Sequence, residues 1–196
     1  MPTYWQRNVI DRIAAQLTQG ITVEKIALTI AVGPAGLLGL TSDLRGGAWL
    51  DIEHPAGGLS LRLFLLGSSR SATSAIFDGS TRGQITAQSL LGGFAVGPCL
   101  SGWSRSCASL FFGGRGTIGS SSGPQLFASE SVLIVQPELG LLVAMEHELG
   151  AGFSLRLTLL AGASPGSAQF QIAGGPSRQL STFDLAAALL LGYRIF

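Results

Sequence analysis

Charge is what this sequence has least of. Asp, Glu, Lys and Arg make up 12% of its 196 residues, where a water-soluble globular chain carries about 25%. So few charges cannot clothe an ordinary surface, so something other than water is expected to cover much of it. The signs also balance, leaving a net charge of +1. That balance excludes the basic footprint of a nucleic-acid binder and the one-signed field that steers a charged substrate. Long apolar runs are missing as well. A membrane helix needs about 20 consecutive apolar residues, yet Ile26 to Ser42 is cut by Gly33-Pro34, and Gly83 to Ser104 by Gly92-Gly93 and Gly97-Pro98. Cysteine and histidine occur twice each, and with no histidine near the two cysteines they fall short of a zinc site.

What is abundant is glycine, 28 residues, about twice the usual share, and apolar residues, 46% with a mean hydropathy of +0.44. An apolar, charge-poor chain without membrane helices leaves one spanning architecture. In lipid every backbone polar group must be paired internally, which only helices and closed barrels achieve. The sequence therefore predicts an all-β, eight-stranded antiparallel up-and-down transmembrane barrel over residues 21–196, preceded by an amphipathic helix within residues 1–20. The helix is read from Trp5, Val9, Ile13 and Leu17, which share one stripe at a spacing of three to four.

After Gly20 the period becomes two, the mark of strands with unlike faces. Leu59, Leu61, Leu63 and Leu65 oppose Ser60, Arg62, Phe64 and Leu66. Phe153, Leu155, Leu157 and Leu159 oppose Ser154, Arg156, Thr158 and Leu160. Leu133, Val135, Leu139, Leu141, Val143 and Met145 oppose Gln136, Glu138, Gly140, Ala144 and Glu146. The segments 23–32, 48–54, 84–96, 107–116 and 183–195 complete eight strands. Connections alternate between short turns near 55–58, 98–106 and 147–150 and longer Gly/Ser/Pro-rich loops at 33–47, 68–83, 117–131 and 163–182, as membrane barrels arrange them. With the leucine faces toward lipid, Asp51, Glu53, Arg62, Arg115, Glu138, Arg156 and Asp184 fall on the inner face. Both signs occur there, so the charges are expected to pair across a narrow lumen. Trp49, Trp103, Tyr193, Phe183, Phe111 and Phe112 are expected near strand ends as interfacial girdles.

From Ile21 to Phe196 the chain resembles the small eight-stranded outer-membrane proteins of Gram-negative bacteria, the class of the opacity-type proteins and the OmpA-family membrane domain. It looks more closely similar to Gly/Leu-rich barrels of myxobacteria. The resemblance is carried by "AVGPAGLLGLTSDLRGG", by "GPCLSGWSRSCASLFFGGRGTIGSSSG" and by the finish "LAAALLLGYRIF". It implies an outer-membrane location, and the terminal Phe196 is typical of chains handed to barrel-assembly machinery. Gly192 and Arg194 stand where that signal usually keeps apolar residues. Residues 1–19 lack the apolar core and cleavage site of a secretory signal, so the chain is expected to be a mature form, a fragment or a truncated gene model.

Few residues invite chemistry. Cys99 and Cys107 bracket a turn where paired strand positions approach within disulfide reach, and an oxidising compartment favours the bond over two inert thiols. His54 and His147 lie at strand ends, the latter between Glu146 and Glu148. A catalytic base needs an oriented nucleophile within hydrogen-bond reach, so solvated turn histidines are the simpler reading. Gly113-Gly114-Arg115-Gly116 lacks the Lys-Ser/Thr and following helix of a phosphate loop. No cofactor, metal or catalytic residue is assigned. The expected role is a monomeric, non-enzymatic barrel in contact with outer-membrane lipid, structural, adhesive or partner-binding through its outer loops. A narrow channel, a lipid-modifying enzyme using the two histidines and a soluble lipocalin-like barrel are the alternatives.

Overall fold

A computed structural model of the chain describes residues 27–39, 44–77, 81–122, 131–165, 169–170, 178–179 and 182–195. The N-terminal helix expected within residues 1–20 lies outside them. The strands are β1 (Leu28–Gly39), β2 (Leu44–Ala56), β3 (Leu59–Ser68), β4 (Ser71–Phe77), β5 (Thr81–Leu100), β6 (Arg105–Ser122), β7 (Ser131–Gly150), β8 (Phe153–Ala163), β9 (Gln169–Phe170), β10 (Arg178–Gln179) and β11 (Phe183–Ile195). Eight of them form a closed antiparallel ring in the order β1-β2-β3-β5-β6-β7-β8-β11, with β1 on β11 as the seam. β4 continues the line of β3 along β5, and β9 pairs with β10 outside the ring. No helix among the described residues is long and apolar enough to cross a membrane.

The alternation read from sequence sets the faces. On β3, β8 and β11 exposed and buried residues alternate nearly without fault. Leu61, Leu63, Leu65, Leu155, Leu157 and Leu159 all point outward. A soluble lipocalin-like barrel keeps its apolar face inside, and the outward leucines count against that alternative. Hydrogen-bonded closure leaves no open edge in the ring, which is how a sheet avoids unpaired backbone groups without a covering layer.

The turns at one end are tight. β2 and β3 are joined by Gly57-Gly58, with φ of 56° and 89°. A two-residue hairpin with both φ positive matches the twist of its strands, and glycine adopts it without steric cost. β7 and β8 are joined by Ala151-Gly152, also with both φ positive. The other end differs from expectation. Strands run on into segments read as loops: β1 reaches Gly39 and β2 starts at Leu44, β4 occupies 71–77, and β6 reaches Ser122. In these extensions the inward positions include small or polar residues such as Ala35 and Thr117, which are buried, so a Gly/Ser-rich segment pairs there without the apolar alternation that would signal it. The first strand, read from sequence as 23–32, runs among the described residues from Leu28 to Gly39, with Leu28 opposite Ile195 of β11; residues 23–26 lie outside the described residues.

Candidate functional site

The interior of the barrel is filled in three layers. At the short-turn end, β2 places Asp51 and Glu53 inward on alternate positions, β3 adds Ser60 and Arg62, β6 Arg105, β7 Glu146, and β8 Ser154 and Arg156. Strand register brings Glu53 opposite Arg62, and Glu146 opposite both Arg156 and Arg105. Arg156, fully buried, reaches across the lumen to Asp51 at 3.0 Å, Glu53 at 2.5 Å and Glu146 at 3.1 Å. Arg62 meets Glu53 at 3.2 Å and Asp51 at 3.5 Å. Arg105 meets Glu53 at 2.6 Å. Ser60 donates to Glu53 at 2.8 Å and Ser154 to Glu146 at 2.5 Å. Three arginines thus face three carboxylates, and charge is neutralised within the layer. Such a set is stable in a water-poor interior only when each ion keeps its partners, since an isolated buried charge is costly.

Above it lies an apolar layer. Trp49 packs on Phe64 with ring centroids 5.6 Å apart, and Phe64 meets Phe111 edge-on at 5.4 Å. Leu66, Leu142, Leu160 and Leu190 are buried around them. Trp49 and Phe111 therefore belong to the lumen and not to interfacial girdles, a correction that follows from their parity: Trp49 shares the inward register of Asp51, and Phe111 that of Cys107. Tyr193 lies on the outer face near the short turns, 5.0 Å from Phe153, close to the strand end where it was expected. Phe112 faces outward midway along β6, stacked on Phe94, and Phe183 is half-buried at the start of β11.

A second charged layer sits toward the long-loop end. Arg115 binds Glu138 at 3.0 Å, Asp184 at 2.5 Å and the Ser164 hydroxyl at 3.1 Å. Glycine makes room for it. A Cβ on Gly162 would strike the Glu138 carboxylate and lie 3.0 Å from the Phe111 ring.

The structure brings the seven charges expected in the lumen together in two groups: Asp51, Glu53, Arg62 and Arg156 in one, Arg115, Glu138 and Asp184 in the other. Two members were not among them. Glu146 already stood on the polar register of its segment. Arg105 fell in a segment read as turn, although it shares the parity of Cys107 on the same strand. Cys99 and Cys107 face each other in register and form the expected disulfide, and the Arg105 guanidinium lies 3.4 Å from Cys99 Sγ. Among the described residues one group of three metal-type ligands is close enough to share an ion, Glu53 with these two cysteines. The disulfide denies it two thiolates. His54 donates to the Ala27 carbonyl at 3.1 Å, and His147 lies against Trp103.

Comparison with solved structures agrees on the fold. A major outer membrane protein from Thermus thermophilus superposes with a TM-score of 0.58 at 15% identity, over 85% of this chain and 99% of that one. Ail, the attachment invasion locus protein of Yersinia pestis, solved in complex with the heparin analogue sucrose octasulfate, gives 0.53 at 11% identity over 87% and 99%. Neither is myxobacterial, and at these identities the likeness is one of fold. No protein-family model matches the chain, and no curated protein matches it in sequence.

Proposed function

We propose that this chain is an integral barrel of a Gram-negative outer membrane, a monomer with a filled lumen that acts through its outer connections as a structural, adhesive or partner-binding element. One observation carries the reading. Around the ring the outward positions are Leu, Val and Phe, with Leu63 61% exposed, Leu157 45% and Leu189 51%, while the charges of the barrel body point inward. In water this belt would be an apolar patch far larger than the few hundred Å² that soluble monomers tolerate. In lipid it is the normal exterior. The barrel likeness to outer-membrane proteins supports the same location.

The role assigned to the loops rests on the lumen. Three packed layers leave no wide path for solutes, and the two histidines are engaged in structural contacts at strand ends, so neither a general pore nor a lipid-modifying enzyme is proposed. No cofactor and no nucleic acid enter the reading. Adhesion is favoured among loop functions because Ail, a barrel of this fold, is by its name an attachment protein. Heat-modifiability is the test of location: the chain is refolded into detergent micelles and run in SDS with and without boiling. A folded membrane barrel is expected to resist SDS unboiled and to shift on boiling. A single unshifted band from a protein that stays folded and monomeric in buffer without detergent overturns the proposal.

A further inference from the structure

The short-turn mouth of the barrel holds a pocket that the lumen layers do not account for. Its floor is Arg105 and Glu146, its walls are the turn 101–104 on one side and Glu148 with Arg194 on the other, and it encloses about 280 Å³. Trp103 stands at the tip of that turn, 92% exposed, with its ring centroid 5.2 Å from that of His147 on the rim. We propose that this pocket binds a neutral carbohydrate, a glycan segment that lays the C–H face of one sugar ring on Trp103 and its hydroxyls on the charged floor and wall.

The charges select for neutrality. Arg194 is paired with Glu148 at 2.7 Å, and Arg105 with Glu53 at 2.6 Å and Glu146 at 3.6 Å. Each lining cation is thus already balanced by a carboxylate, so the pocket holds no free charge to select an anion, a cation or a charged peptide. Its hydrogen-bonding capacity is nonetheless high. A guanidinium carries five N–H donors and a carboxylate about four acceptor sites; Glu146 already meets Ser154, Arg156 and Arg105, whereas the bridge between Arg194 and Glu148 on the wall leaves several donors and acceptors for a ligand. The Ser101 and Ser104 hydroxyls in the same lining add groups that both donate and accept. A ligand that matches is dense in hydroxyls on its edges, uncharged, and apolar on one flat face. A sugar ring has that form, and an exposed indole is the side chain best suited to its flat face. The volume is close to the lower end of small-ligand sites, about 300 Å³. Only the side the pocket faces depends on the proposed membrane location: there the short turns, and this mouth, look into the periplasm.

The test uses the full chain refolded in a phosphocholine detergent, which has no sugar headgroup to compete, with the heat shift verified first for every variant. Backbone amide signals are followed while the trisaccharide of N-acetylglucosamine, and separately maltotriose, is added. Saturable shifts confined to residues 101–105, 146–148 and 194 are expected with at least one sugar. Trp103→Ala and Arg194→Ala should each weaken binding tenfold or more, about 1.4 kcal/mol, whereas Leu100→Ala, which removes an exposed apolar side chain outside the pocket, should not. Inorganic phosphate should neither bind nor compete. No saturable shift with either sugar in heat-shiftable protein overturns the proposal while leaving the membrane reading intact. So does sugar binding that survives Trp103→Ala. Quenching of Trp103 by brominated lipid, together with indifference to sugar, would make the indole a membrane-interface anchor instead.

Discussion

Arg156 is the residue on which the lumen most depends. Among the described residues it is the one cation that touches Asp51, Glu53 and Glu146 together, so replacing it with Leu leaves three buried carboxylates with only Arg62 and Arg105 of that layer beside them. Breaking a buried ion network by removing one partner typically costs about 3–5 kcal/mol. Arg156→Leu is therefore expected to lower the urea midpoint of the refolded protein markedly, followed as the fraction of heat-modifiable band. Arg194→Ala, which breaks a bridge to a largely exposed Glu148, should fall within about 1 kcal/mol of wild type. Equal effects would mean that Arg156 does not hold the network. At this scale the sequence was informative wherever parity could be counted. Asp51, Glu53, Arg62 and Arg156 share the inward register of strands whose other face is leucine. Parity fails at strand ends, where no alternation runs far enough to count, and Arg105 was lost for that reason. It says nothing about which carboxylate an arginine reaches across the lumen.

Each strand works as an element because its two faces meet different media. On β8, Leu157 points outward and its neighbour Thr158 is fully buried in the lumen. Leu157→Arg should cost about 2–4 kcal/mol if that position lies near the bilayer midplane. Measured by urea unfolding in phospholipid vesicles, a cost near zero would place Leu157 in contact with water or protein instead. The β5–β6 hairpin carries a second device. Cys99 and Cys107 close a small loop around the turn 101–104, and a disulfide across so short a loop stabilises by at most about 2–3 kcal/mol on the chain-entropy account. The Cys99→Ser, Cys107→Ser double variant is expected to lose no more than that and to keep its heat shift, since fifteen register pairs join the two strands apart from any bond between sulfurs. Failure to fold would assign the disulfide a larger part in assembly. The pairing was readable in advance because both cysteines bracket a turn. The full reach of β5 and β6 was not, because their buried positions at that end include Ala87 and Thr117, small or polar residues that give no periodic apolar signal.

For the whole molecule, strand number decides what the interior can be. Eight strands close around a space about as wide as the side chains that fill it, and here that space is divided among a neutral network of Arg62, Arg105 and Arg156 with Asp51, Glu53 and Glu146, an aromatic and leucine layer, and the Arg115 group. A solute would have to displace Trp49, Phe64 and Phe111 and also separate Arg156 from three carboxylates. The refolded wild-type protein in planar bilayers is therefore expected to show none of the large, steady steps of a diffusion pore. The layers should also act in series. Trp49→Ala with Phe111→Ala removes aromatic volume but leaves the ion network closed, so that variant is expected to remain non-conducting so long as it still shifts on heating. Adding Arg156→Ala and Arg115→Ala removes the cation that bridges all three carboxylates and the one that holds the third layer, and conductance is expected to arise only then. Steady porin-sized steps from heat-shiftable wild type would refute the filled-lumen reading. Conductance in the aromatic variant alone would place the seal in the apolar layer and make the ion network a matter of stability only.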